Sequence, residues 1–126
     1  MLLKYTLLSE IDTNKGEEIV LETEFVPYEE STEGRFIRIH FKDENSFECD
    51  LKAALDEVFL SYAGQNLHMI KNQRVSNKLK ISETQDIAID FYLKNVSILE
   101  KEIILSYDLL QGDKIVVKNT AKWTIE

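Results

Sequence analysis

The chain has 126 residues, 44% hydrophobic and 30% charged, with 23 acidic against 15 basic side chains and a net charge of −8. That length holds one domain of ordinary size, and that composition folds without the support of metals or disulfides. The negative balance argues against a nucleic-acid backbone or an anionic membrane as partner, because both repel it at long range.

The single Cys49 cannot form an intramolecular bridge, which suits a reducing cytoplasm. The opening stretch MLLKYTLLSE lacks the apolar core and small-residue cleavage site of a signal peptide. No apolar run approaches the roughly 20 residues of a membrane helix. The expectation is a soluble cytoplasmic chain.

Alternation at every second position predicts strands over most of the sequence. Leu3, Tyr5, Leu7 and Ile11 share one face of the first. DTNKGEE follows as a turn, with Asn14 and Gly16 able to take unusual backbone angles. Ile19, Leu21, Thr23 and Phe25 then alternate with Val20, Glu22 and Glu24, completing a hairpin with one buried and one wet face. Pro27, the only proline, ends that second strand because it cannot donate to a ladder. YEESTEG reads as an acidic loop, and RFIRIHF as a third strand with Ile37, Ile39 and Phe41 opposite Phe36, Arg38 and His40.

Past KDENS the period changes. Leu51, Leu55, Val58, Phe59 and Tyr62 fall at i, i+4, i+7, i+8 and i+11, predicting a helix with an apolar stripe. Asp50 would cap its start and Gly64 would close it. LHMIKNQRVSNKLKI predicts two short strands around a turn at Ser76-Asn77. DIAIDFYL, EIILSYDL and KIVVKNTAKWTI predict three longer strands, the last two joined through QGDK.

The expected fold is therefore α+β over residues 1–126. A mainly antiparallel β-sandwich or barrel of about seven or eight strands would carry one central α-helix packed on it. Leu7, Leu21, Phe25, Ile37, Ile39, Leu55, Phe59, Ile89, Phe91, Leu105, Val117 and Trp123 form the expected core.

Charge is unevenly distributed. Residues 1–57 hold 6 basic and 15 acidic residues, whereas residues 58–82 hold 4 basic and no acidic ones. This basic island, Lys71, Arg74, Lys78 and Lys80, is the candidate binding segment. It could grip a carboxylate-rich surface, a phosphate, or the acidic half of a second copy. Alternatively it balances acids of its own chain, such as Glu29, Glu30 and Glu33, through surface pairs of little energetic weight. No aromatic residues interleave the cations, so a base-stacking platform is absent. Lys114, Lys118 and Lys122 on the last strand fit either a guarded edge or an assembly edge.

Catalytic and cofactor motifs are missing. Cys49 lies between Glu48 and Asp50, which oppose thiolate formation, and a buried structural thiol is the plainer reading. His40 and His68 belong to no metal-ligand pattern. DTNKGEE and DENSFECDLKAA fail the calcium-loop spacing, and the four glycines stand too far apart for a phosphate cradle. No cofactor or metal is expected. The leading functional expectation is a non-catalytic acidic protein-interaction module, an adaptor or inhibitor that docks on a basic partner. The alternatives are a self-assembling subunit of a ring or tube, and a small-molecule-binding barrel or sandwich, possible hydrolases included.

Overall fold

The computed structural model describes residues 1–11 and 15–126. Eleven strands run in chain order. They are β1 (Leu2–Glu10), β2 (Glu18–Glu22), β3 (Val26–Glu33), β4 (Phe36–Lys42), β5 (Glu48–Ala53) and β6 (Glu57–Tyr62), then β7 (Gln65–Ile70), β8 (Arg74–Lys80), β9 (Asp86–Leu99), β10 (Glu102–Gln111) and β11 (Lys114–Ile125). Their order across the sheet is β7-β6-β5-β4-β3-β1-β11-β10-β9-β8, with β2 beside β1, and the ladders between them are antiparallel. The sheet curls into a nearly closed barrel, so the architecture is all-β with more strands than the α+β expectation allowed.

The expected helix does not form: its residues make the hairpin β5–β6. Cys49, Leu51 and Ala53 on β5 and Val58 and Leu60 on β6 are buried at every second position. The stripe at helical spacing had drawn on Leu55 and Phe59, which are 65% and 39% exposed. Local propensity in KAALDEV favours helix, but β4 and β7 flank the hairpin and pair with it on both sides. Asp50 is a mid-strand residue rather than a cap. Ala63 and Gly64 both have positive φ, 50° and 84°, the pair of angles a two-residue hairpin turn requires. The left-handed glycine is real, and it closes a hairpin instead of a helix.

Two further expectations shift. Pro27 is the second residue of β3, and the expected acidic loop YEESTEG is largely that strand. The turn expected at Ser76-Asn77 lies earlier, at Lys71–Gln73, where Asn72 has a φ of 63° and Gln73 N donates to Ile70 O at 3.1 Å. The expected turn at DTNKGEE falls largely outside the described residues. The three last strands and the QGDK turn appear as expected, with Gly112 at a φ of 63°.

Inward-facing residues of all the long strands merge into one buried cluster. Trp123 is fully buried and stacks on Tyr5, ring centroids 4.8 Å apart. Of the expected core, Ile39, Ile89, Phe91, Leu105 and Trp123 are buried, and Leu7, Leu21, Ile37 and Val117 pack against them. Phe25, Leu55 and Phe59 lie outside. Among the described residues, no helix is long and apolar enough to cross a membrane.

The two ends of the sheet, β7 and β8, meet without a backbone ladder. Side-chain amides take its place. Asn77 Oδ1 accepts from His68 N at 2.9 Å, and Asn77 Nδ2 donates to His68 O at 2.9 Å. Gln65 does the same for Lys80: Oε1 accepts from its N–H and Nε2 donates to its carbonyl, each at 3.0 Å. Each carboxamide thus stands in for the peptide group of a missing strand neighbour, satisfying edge groups that would otherwise be costly to bury.

A carboxylate organises the turn between β4 and β5. Asp43 Oδ1 accepts from the amides of Asn45 and Phe47, each at 2.9 Å, and its Oδ2 accepts from Tyr62 Oη at 2.5 Å. Burial opposes ionisation of Asp43, but the bonds from Tyr62, Phe47 and Asn45 together hold its pKa below the ordinary 3.8.

Replacing Asn77 with Leu leaves both His68 backbone groups unpaired at a half-buried seam, and should cost about 2–4 kcal/mol in urea unfolding. Gln65→Ala, at the wetter end, should cost under about 1 kcal/mol because water replaces the amide. Equal losses would mean that the seam is not held in this way. Asp43→Asn should destabilise the barrel at neutral pH. Because the folded pKa is depressed, the gap to the unaltered protein should close as pH falls below about 4 and through the folded value.

Candidate functional site

Directly paired residues of an antiparallel sheet share a face, so register alone assembles the outer surface of β3–β7. One row across it is Ser31, Arg38, Lys52, Phe59 and His68. The next is Glu29, His40, Asp50, Ser61 and Asn66. A concavity of about 550 Å³ opens over these rows, reaching from Glu33 to Asn77 at the seam. A second, of about 390 Å³, is lined by Glu29, Glu30, Ser31, Arg38, His40 and Asp50. The two share Arg38 and Asp50.

Ion pairs order the floor. Arg38 grips Asp50 with two parallel bonds, Nε to Oδ1 and Nη2 to Oδ2, each 3.1 Å. That fork is the strong geometry for a guanidinium, and the bond to Asp50 raises the Arg38 pKa above its ordinary value. Glu33 receives Lys52 at 3.2 Å and lies 3.8 Å from Arg38. Toward the seam the surface becomes aromatic. The Phe59 and His68 rings stack at 4.4 Å with only 7° between planes, and Phe36 meets Phe59 edge-on at 6.0 Å. Arg35 lies 4.6 Å over Phe36, and Lys52 lies 5.1 Å from Phe36 and 5.7 Å from Phe59. His68 Nε2 and Glu57 Oε2 are 2.7 Å apart, and Arg35 bonds both Glu57, at 2.6 Å, and Asp56. The face offers carboxylates, a fixed guanidinium, amides and ring faces, an inventory suited to binding.

The four residues of the basic island sit elsewhere. Arg74, Lys78 and Lys80 project from one side of β8, and Lys71 lies in the β7–β8 turn. None of the four lines the larger concavity. Arg74 pairs with Asp90 at 2.8 Å and donates to Gly112 O at 2.5 Å. Lys71, Lys78 and Lys80 form no ion pair among the described residues. Glu33 is held by Arg38 and Lys52, so the balancing of Glu29, Glu30 and Glu33 by the island is not what the structure shows.

Cys49 faces the barrel interior and is fully buried. Burial pushes its thiol up to about 12, opposed in part by the Trp123 side chain beside it. The indole N–H of Trp123 makes no hydrogen bond of ordinary geometry, so its contact with the thiol is weak and burial dominates. His40 and His68 line outer concavities on the opposite face from this thiol, so the three residues form no common centre. Among the described residues no three His, Cys, Asp or Glu side chains are placed to hold a metal ion.

The alternation in RFIRIHF sets Phe36, Arg38 and His40 on one face of a strand, but it does not reveal Asp50, Lys52, Phe59 and His68 as neighbours of Arg38 and His40. Their meeting depends on register between β4, β5, β6 and β7, and the helix expected over Leu51–Tyr62 hid it.

No protein-family model matches the chain, and no curated protein matches it. Among solved structures, the crystal structure of ywiB protein from Bacillus subtilis is similar, with a TM-score of 0.69 and 13% sequence identity. The match covers 99% of this chain and 90% of that one. At that identity the likeness is one of fold.

Cys49 should resist alkylation by iodoacetamide in the folded protein at pH 8 and react only on unfolding. Rapid labelling without unfolding would show that the thiol is accessible and reactive.

Proposed function

We propose that this barrel is a non-catalytic acidic interaction module that receives basic side chains of a protein partner on the outer face of β3–β5. One observation carries the reading. Glu29 on this face and Glu30 on the other side of β3 both border the smaller concavity, are exposed and make no ion pair among the described residues, whereas Glu33 and Asp50 next to them are engaged by Lys52 and Arg38. The engaged pairs fix the shape of the surface, and the free carboxylates supply the attraction. A net charge of −8 adds long-range steering toward a cationic partner. The buried lone thiol is compatible with a reducing, cytoplasmic setting.

Self-association is a second reading with an observation of its own. Lys78 and Lys80 on β8 carry no ion pair among the described residues and could meet Glu29 and Glu30 of another copy. Light scattering across a range of protein concentrations separates the two. A mass that rises with concentration and falls on adding salt favours assembly, and a constant monomer mass favours the partner-binding reading.

Poly-L-lysine, used as a model basic surface, should bind at low ionic strength and weaken strongly as salt shortens the screening length. Glu29→Gln with Glu30→Gln should weaken that binding, while Lys78→Gln with Lys80→Gln should not. Binding that ignores salt and both glutamates would remove the proposal.

A further inference from the structure

We infer that the open edge of β3, from Tyr28 to Glu33, accepts an extended lysine- or arginine-bearing peptide segment as an added strand. The inference rests on the docking reading above and specifies its geometry. In the sheet, β4 pairs with β3 over Tyr28–Glu33. On the other side β1 pairs with β3 only at Val26 and Pro27. Among the described residues no other strand touches β3. Alternate amides and carbonyls of the remaining six residues therefore face away from β4 with no strand beside them. That edge is about 20 Å long at the rise of a strand. Pro27 and β1 bound it at one end, so an incoming strand has a fixed stop.

Charge decides which strand fits. Glu29, Ser31 and Glu33 share the outer face of this edge, and Glu30 projects on the other. A second copy offering its own β3 would set glutamates near glutamates, which the edge resists. A segment with cations at alternate positions instead places one beside Glu29, the outer-face carboxylate of this edge that Arg38 and Lys52 leave free, and the concavity of about 390 Å³ gives its long side chain room. Backbone bonds then provide affinity, and the carboxylates provide selection.

The test uses ¹⁵N-labelled protein and a capped eight-residue peptide alternating lysine with threonine and valine. Two controls accompany it: the same peptide with every backbone amide N-methylated, and a version with glutamate in place of lysine. The expected result is amide shifts and slowed hydrogen exchange centred on Tyr28–Glu33. The N-methylated peptide should bind at least ~10-fold more weakly, and the glutamate peptide should not bind. Glu29→Gln with Glu30→Gln, checked for an unchanged amide spectrum elsewhere, should also lose affinity. Equal binding of the N-methylated peptide, or shifts confined to β7 and β8, overturns strand addition and leaves acidic docking standing. If neither the lysine peptide nor poly-L-lysine binds, both proposals fall.

Discussion

The barrel depends on how its sheet comes to an end. An open sheet of this length has two edges whose amides and carbonyls need partners, and curling alone does not supply them. Here the edges meet across Asn77 and Gln65, whose carboxamides carry one donor and one acceptor each to the opposite backbone. The bonds fall at two points along the seam, the backbone groups of His68 and of Lys80. With that closure in place the inner rows can enclose Trp123, Phe41 and Phe91. The closure also brings Asn77 to the end of the larger concavity, beside the His68 that the β6–β7 ladder sets against Phe59.

Electrostatics on the outer face follows from the pairing in a less uniform way. Where acid and base fall in neighbouring positions across β3–β6, as Arg38 with Asp50 or Lys52 with Glu33, they neutralise one another. Such exposed pairs contribute little stability, and their effect is to hold side chains in place. Where β3 runs beyond the reach of those cations, its carboxylates remain unmatched. The segregation of charge seen along the sequence therefore survives only in part once the chain is folded. Arg74 is absorbed by Asp90, while Lys78 and Lys80 stay open to water.

Much of the strand content was legible because one face is buried and the other wet. The clean alternation of Ile89, Phe91 and Leu93, or of Ala121, Trp123 and Ile125, reads directly as β9 and β11. Two segments misled for identifiable reasons. In β3 the residues after Tyr28 are exposed on both sides, since the strand is an edge there, so no alternation marks it. In β5–β6 the inward set Leu51, Ala53, Val58 and Leu60 was overwritten by Leu55 and Phe59, apolar residues that face solvent. An apolar side chain on the outside of a sheet is indistinguishable, by spacing alone, from one on a helical stripe. Because the outer face that carries the two concavities is built from these two segments, it was the least readable part of the molecule. Its aromatic end, Phe36, Phe59 and His68, comes together only through register.

The chain's first and last strands are neighbours: Leu3 lies opposite Ile125 and Glu10 opposite Lys118. Contacts between residues so distant along the polypeptide carry a large loop-closure cost and slow the formation of such topologies. β11 is the one strand that joins β1 to β10 among the described residues. Without β11 the sheet would divide into β7-β6-β5-β4-β3-β1 with β2 on one side and β10-β9-β8 on the other, joined through the amide seam, and Tyr5 would lose the Trp123 ring on which it stacks.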